Sequence, residues 1–336
     1  VSAGAPRRRP TIADVARRAG VSQAAVSFAV NGRPGVSPGT RERILAAARE
    51  LGWRPSASAR ALTEARARAI GLVLARDPAQ IELDSFFVRF LAGLERTLAP
   101  AGYALLLQLV PAGPALDAYE RLAAEGRVDG FVLTDVEVPD ARFELLAEAG
   151  TPVVIAGHPA GESPFPWVET RHAEGMDAAV AHLRELGHER IGFLGGPAEY
   201  EHVQVRLARW REAAGEAAGR AVHARPEHVA AAARAVLAGA PALTAVVCTS
   251  DPLAMAVVAA AGEAGLAVPQ DLSVAGFDDS PLAALASPAL TSVRVDYGEF
   301  GAAAAAALLA AIAGEPAPAY SPSAPALVAR ASTARR

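Results

Sequence analysis

Residues 11–31 constrain this chain more than any other segment. They run Thr-Ile-Ala-Asp-Val-Ala-Arg-Arg-Ala-Gly-Val-Ser-Gln-Ala-Ala-Val-Ser-Phe-Ala-Val-Asn. Thr11 with Asp14 three residues on is an N-cap signature, and Ile12, Val15, Ala16 and Ala19 then share one helical face. Gly20 predicts a turn, and Ser22 is placed to cap a second short helix that buries Val26, Ala29 and Val30. The other face of that helix carries Gln23, Ala24 and Ser27, small or polar groups that can approach a groove closely. This pattern is a helix-turn-helix, whose second helix enters the major groove of DNA. A third helix is predicted over Pro38–Leu51, with Ser37 as its cap, Pro38 at its first position and Gly52 at its exit. Ile44, Ala48 and Leu51 give it a buried face, and the three helices make a compact headpiece ending near Trp53.

Charge separates this headpiece from the rest. Residues 1–60 hold eleven Arg against Asp14, Glu42 and Glu50, a balance of +8; the whole chain is −4, so the remainder carries −12. A basic module on an acidic body predicts a nucleic-acid partner held through one end only. The basic residues are all Arg and, with the abundance of Ala, Gly and Pro, indicate GC-rich coding rather than a functional choice.

Other classes find little support. Cys248 is the only cysteine, which leaves no disulfide framework and predicts a reducing compartment, the cytoplasm. The basic N-terminal residues have no apolar run behind them, so no signal peptide is expected, and no apolar run has the length of a membrane span. The histidines lack metal-ligand spacing, and Gly195-Gly196-Pro197 lacks both the spacing and the Lys of a phosphate loop, so no cofactor or metal is expected. Gly35-Val36-Ser37-Pro38-Gly39 fits the Gly-x-Ser-x-Gly pattern of a hydrolase elbow. That chemistry needs a strand before the serine, which is missing, so Ser37 is read as a helix cap and the chain as a non-enzyme.

Two sets of residues in this N-terminal part carry a specific resemblance. The helix-turn-helix residues are followed by Thr40-Arg41 and Ile44, then by Arg54-Pro55-Ser56 and Ala59-Arg60-Ala61-Leu62. Together they resemble the lactose-repressor/galactose-repressor family of bacterial regulators. The resemblance implies that residues 54–68, too short to be a stable free helix, form a hinge helix on the operator. Ala59 and Leu62 are then DNA-contacting hinge residues, with Leu62 the apolar wedge between central base pairs. It further implies base reading by Gln23, Ala24 and Phe28, and backbone or phosphate contacts by Thr11, Ser22, Ser27, Asn31 and Arg41. Phe28 stands where some members have Arg; it can meet a thymine methyl but cannot grip guanine, so operator specificity does not transfer.

From Ala69 onward, strand-like runs alternate with helical stretches. Strands are predicted at Ala69–Leu74, Tyr103–Leu109, Val128–Thr134, Val153–Ala156, Ile191–Leu194, Ala245–Thr249 and Val274–Phe277. Helices are predicted at Ser85–Leu98, Met176–Leu186 and Leu253–Ala264. Such alternation means parallel sheets covered by helices, and a crossing segment at Trp167–His172 suggests two lobes. The resemblance extends through Val128-Asp129-Gly130, Leu186-Gly187-His188 and Val268-Pro269 to Gly276-Phe277-Asp278-Asp279. It implies a two-lobed α/β body similar to periplasmic sugar-binding proteins. The implied organisation is a headpiece over 1–53, a linker over 54–68 and a body over 69–336. Its first lobe takes about 69–166 and 297–319, its second about 167–296 and 320–336.

Open α/β sheets bind ligands at the carboxyl ends of their strands. Asp278 ends a strand there and can accept two sugar hydroxyls, while the fork of Arg206 suits a hydroxyl pair. Ser250, where the family usually has Asn, and His158 and His172 are further candidates, and Phe86 and Trp210 could stack on a sugar face. The function implied is an effector-controlled transcription regulator, a homodimer on a palindromic double-stranded operator. Its effector would be a sugar, with a purine or nucleoside as the alternative; a solute-binding protein is the rival class that the body alone permits. No membrane partner is expected.

From the charge split, a fragment beginning near Ala69 is expected to fold yet show no operator affinity in a gel-shift assay. Leu62→Ala should weaken specific binding far more than binding to random DNA. Arg41→Ala should lower both and flatten the salt dependence. Equal losses for Leu62→Ala on the two DNAs would exclude a wedge.

Overall fold

The computed structural model describes residues 10–54, 66–76, 85–111, 115–238 and 243–336. It divides into two compact units, with the division of the chain between Ala67 and Arg68. The hinge calls, Ala59 and Leu62 among them, lie outside the described residues.

The first unit holds three helices, α1 (Ile12–Ala19), α2 (Gln23–Val30) and α3 (Pro38–Glu50). Val15, Val26 and Ile44, one from each helix, are fully buried, and alanines fill the space between them. The small alanine side chains let three short helices approach closely around so few large residues. Gly20 ends α1 in the left-handed region at φ +66°, where a Cβ would be strained. Arg43 donates through Nε to the Ala19 carbonyl at 3.1 Å, satisfying the end of α1 from across the unit.

The second unit contains two sheets. The first has the order β2-β1-β3-β4-β5, with β1 Ala69–Ala75, β2 Ala104–Val110, β3 Gly130–Leu133, β4 Val153–Ala156 and β5 Trp167–Val168. All its pairings are parallel. The second has the order β11-β10-β9-β8-β6-β7, with β6 Ile191–Gly195, β7 Ala218–His223, β8 Ala245–Cys248, β9 Ser273–Asp278, β10 Thr291–Arg294 and β11 Ala326–Val328.

Three expectations need correction. Trp167 and Val168 pair with β4, so the first lobe runs past residue 166. β11 is antiparallel to β10, so the second sheet is mixed at that edge. The strand β10 was not predicted because Thr-Ser-Val-Arg is too polar to read as a buried run. Its polarity is met by tertiary partners: the Thr291 amide donates to Ser332 Oγ at 2.8 Å, and Ser292 Oγ donates to Asp251 Oδ1 at 2.5 Å.

The helices that position the clefts are α4 (Ser85–Leu98), α5 (Leu116–Ala124) and α6 (Arg142–Glu148) in the first lobe. The second lobe has α7 (His172–Glu185), α8 (Glu201–Ala214), α9 (Val229–Leu237), α10 (Asp251–Glu263) and α11 (Pro281–Leu285), and α12 (Tyr297–Ala313) returns to pack on the first. Helix α7 begins four residues before its expected start at Met176. Gly175 in this first turn lets the helix pack closely on the sheet, because a Cβ there would press on the Phe277 and Val293 side chains.

The lobes touch directly. The Glu201 amide donates to the Val136 carbonyl at 2.9 Å, and Glu137 forms a bridge with Tyr200. Arg89 of α4 donates to the carbonyls of Asp278 and Asp279 at 3.1 and 2.8 Å.

Helices α4 and α12 meet through glycines. A Cβ at Gly93 would collide with the Gly298 carbonyl, and one at Gly301 with the Phe90 carbonyl. Gly301→Ala is therefore expected to force the helices apart and cost about 1–3 kcal/mol. A melting temperature for the body equal to wild type would contradict that close approach.

Candidate functional sites in the headpiece and between the lobes

In the headpiece, Gln23, Ala24 and Phe28 of α2 are exposed on the side away from the buried Val26 and Ala29. Ser22 Oγ accepts from the Ala25 amide at 3.2 Å, and Asn31 Nδ2 donates to Ser27 Oγ at 3.4 Å. Thr11 donates through its amide and its hydroxyl to Asp14 Oδ2, at 2.9 and 2.7 Å. Arg41 spends one donor on the Arg33 carbonyl at 2.8 Å, which braces the turn and leaves its other donors for a further partner. Ser37 accepts from the Thr40 amide at 3.4 Å and is a helix cap. The exposed face of α2 thus offers one amide, one methyl and one ring on a rigid three-helix base.

In the body, Arg206 on α8 is the centre of a buried polar group. Its Nη1 donates to the Thr249 carbonyl at 2.6 Å, and its Nη2 donates to His172 Nδ1 at 2.9 Å and to the Tyr297 hydroxyl at 3.5 Å. The guanidinium lies 3.9 Å over the Phe277 ring, a cation–π contact. Since His172 Nδ1 accepts, its Nε2 carries the proton and donates to Thr170 Oγ1 at 2.7 Å. The Tyr297 hydroxyl in turn donates to Asp278 Oδ1 at 2.6 Å. Asp278 ends β9 at φ +97°, a conformation that turns its backbone at the strand's carboxyl end. Arg206 Nε, by contrast, is buried without a hydrogen-bond partner among the described residues.

Around this centre sit groups that were not picked out of the sequence. Arg76 and Asp135 form a two-point pair at 2.8 and 2.5 Å, the guanidinium lying 4.9 Å from the Phe87 ring centre and 5.7 Å from that of Tyr200. Burial works against the Asp135 charge, but Arg76 outweighs it and holds the carboxyl below its usual range. His202, one helical turn before Arg206, stacks on Tyr200 at 5.7 Å and lies 6.2 Å from His172. The i, i+4 spacing of His202 and Arg206 was the available signal.

The sequence candidates divide. Asp278, Arg206 and His172 come together. Phe86 reaches the group through Tyr297, at 4.8 Å edge to face. Trp210 does not: it is 2% exposed and packs on Phe193 in the core, so its sugar-stacking reading is wrong. An Ala-rich body has few large side chains to fill the space under α8, and the indole does so. Ser250 caps α10 and makes no side-chain cap bond. His158 is away from Arg206, facing Glu201 at 3.7 Å in a side cleft of about 580 Å³ that Trp167, His172 and Tyr320 also line.

The parts define a class of protein: a helix-turn-helix on a two-lobed α/β body with a polar centre between the lobes. Residues 11–56 match the family model for bacterial regulatory proteins, lacI family, and residues 180–333 match the periplasmic binding protein-like domain. The HTH-type transcriptional regulator reg1 of Streptomyces lividans is 35% identical over 325 residues, 91% of each chain. CelR of Thermobifida fusca is 33% identical over 297 residues, 86% of this chain and 87% of that protein. Among solved structures, a CelR–cellobiose complex superposes with a TM-score of 0.70 at 30% identity, covering 96% of this chain and 100% of that one. The lac repressor dimer bound to operator and the anti-inducer ONPF superposes with a TM-score of 0.80 at 26% identity, covering 97% and 100%. The chain belongs to the lacI family of bacterial regulatory proteins and is a DNA-binding transcriptional regulator. No helix among the described residues is long and apolar enough to cross a membrane.

Burial, then the Arg206 charge, hold His172 well below its ordinary value of 6.5. The same two causes push His202 down to about 3. Both are neutral in the fold, whereas the unfolded chain takes up protons below about 6.5. The body is therefore expected to lose stability as the pH falls from 7 toward 5, and His172→Gln should shallow that slope. A pH-independent melting temperature over this range would contradict the buried neutral imidazoles.

Proposed function

We propose that this regulator binds a palindromic operator as a homodimer and is controlled by a sugar bound between its lobes. The observation that carries the effector site is the Asp278–Tyr297–Arg206 chain with its unpartnered Arg206 Nε. A carboxylate that accepts, a guanidinium that donates and flanking aromatic rings suit a neutral ligand rich in hydroxyls. The cellobiose found in the CelR complex supports the same reading. The headpiece reads DNA through Gln23, Ala24 and Phe28, with Thr11, Ser22, Ser27, Asn31 and Arg41 on the backbone, and the linker over 54–68 contributes Ala59 and Leu62. Dimerisation uses apolar surface of the body: Leu107 and Leu109 on the edge strand β2 and Leu282 and Leu285 on α11 are exposed. The protein works in the cytoplasm, on the nucleoid when bound to DNA.

Ligand acts on the lobe-to-lobe contacts. Arg89 grips the backbone of Asp278 itself, so a ligand that moves Asp278 moves α4 of the other lobe. Lobes and linkers form the element that effector and operator both bias, and each must weaken the other's binding by the same factor if the effector is an inducer.

Asp278→Ala is expected to abolish the response to sugar while leaving operator binding intact. Loss of a charged hydrogen-bond partner costs about 1.5–3 kcal/mol, roughly tenfold or more in affinity. Titration of wild type and variant with sugars, beside a gel shift on DNA selected from a random pool, checks both halves. An Asp278→Ala protein that binds sugar as tightly as wild type would overturn the assignment.

A further inference from the structure

The first two turns of α8 present two adjoining stripes. His202 and Arg206, four residues apart, face His172 and the polar centre. Glu201 and Val205, also four apart, face the side cleft instead. This cleft, about 580 Å³, has neither Arg206, Asp278 nor Tyr297 in its wall, so it is distinct from the polar centre. His172 lines the cleft and also bonds Arg206, so the cleft and the polar centre adjoin. A volume of this order holds a small-molecule ligand or a substantial part of one.

Two features of the side cleft have no structural use that the fold supplies. Trp167, the first residue of edge strand β5, is 46% exposed, whereas Trp210 is 2% exposed. A large indole left open costs apolar burial unless something covers it. Glu201 is 7% exposed, yet among the described residues its carboxylate makes no hydrogen bond; His158 stands at 3.7 Å, and the Arg206 charge also favours its ionised form. The carboxylate opens to the cleft, where a ligand hydroxyl can donate to it. The charge around the cleft narrows the ligand further. Glu169, Glu174 and Glu201 line it with Arg171, and Arg171 is spent on Glu174 at 2.5 Å. Phosphorylated or carboxylated ligands are disfavoured there, and a neutral, hydroxyl-bearing ring with one apolar face is favoured.

We infer that the side cleft is a second saccharide subsite, so that the effector is a disaccharide or longer. One ring sits at Arg206 and Asp278, and the next stacks on Trp167 with a hydroxyl donating to Glu201. This rests on the sugar reading of the polar centre. Tyr320, on the return segment between α12 and β11, closes the far wall, so the subsite joins both lobes through their connecting segments.

Isothermal titration of the full chain with glucose, galactose, maltose, cellobiose, melibiose, lactose and guanosine tests it. The expected result is a disaccharide that binds wild type at least about tenfold more tightly than either monosaccharide. Trp167→Ala and Glu201→Gln should each bring that disaccharide down to the monosaccharide level and leave monosaccharide affinity unchanged. Glu201→Gln keeps the shape of the side chain, so a loss of preference there cannot be assigned to misfolding when its melting temperature matches wild type. A disaccharide preference that survives both substitutions, or a monosaccharide that binds as tightly as any disaccharide, overturns the subsite. Wild type that binds guanosine but no saccharide, or no probe at all, overturns the sugar reading itself and the subsite with it.

Discussion

One guanidinium holds the centre of the body together. Arg206 stacks on Phe277 of β9, donates to the Thr249 carbonyl after β8, and takes His172 and Tyr297, the first residues of α7 and α12, as partners. A buried arginine of this kind is always charged, so its surroundings must adapt to it. His172 does so by staying neutral and turning its Nδ1 lone pair toward the guanidinium, and Tyr297 by pointing its hydroxyl hydrogen at Asp278, which leaves its oxygen to accept from Arg206. Two of the segments by which the chain crosses between lobes, those leading into α7 and α12, thereby meet at one side chain.

The lobes are in contact at the rim as well as at this centre. The Val136–Glu201 backbone bond and the Arg89 clamp on Asp278 and Asp279 use groups that a ligand in the cleft would sit beside. Each is a hydrogen bond of ordinary size, worth about 0.5–1.5 kcal/mol net, or somewhat more for the charged donor. Contacts of that size can be exchanged for ligand contacts without unfolding either lobe, whose own cores are built of fully buried strands.

The headpiece is organised on a different principle. It has three large residues at its core and an excess of Arg on its surface, and it exposes on α2 the residues that an isolated globule would have no reason to leave bare. The part that matches the lacI family model, residues 11–56, lies at this basic end of the chain.

Much was legible from the residues alone. Thr11 with Asp14, Gly20, Ser22 and Ser37 with Pro38 determined the headpiece helices, because caps and a left-handed glycine are local requirements. Apolar runs such as Val153–Ala156 determined the buried strands for the same reason. Asp278 and Arg206 were recoverable because strand ends and a motif position are properties of the sequence. What the tertiary structure decided was partnership. Trp210 is core and Trp167 open, although both are tryptophans, because one lies under α8 and the other on a sheet edge. Thr291 and Ser292 form a buried strand only because Ser332 and Asp251 come from far along the chain to bond them. Tyr297 and the Arg76–Asp135 pair join the polar groups around Arg206 through contacts that no local pattern records. Local sequence fixes conformation where the forces are local, and the satisfaction of buried polar groups is decided by long-range contact.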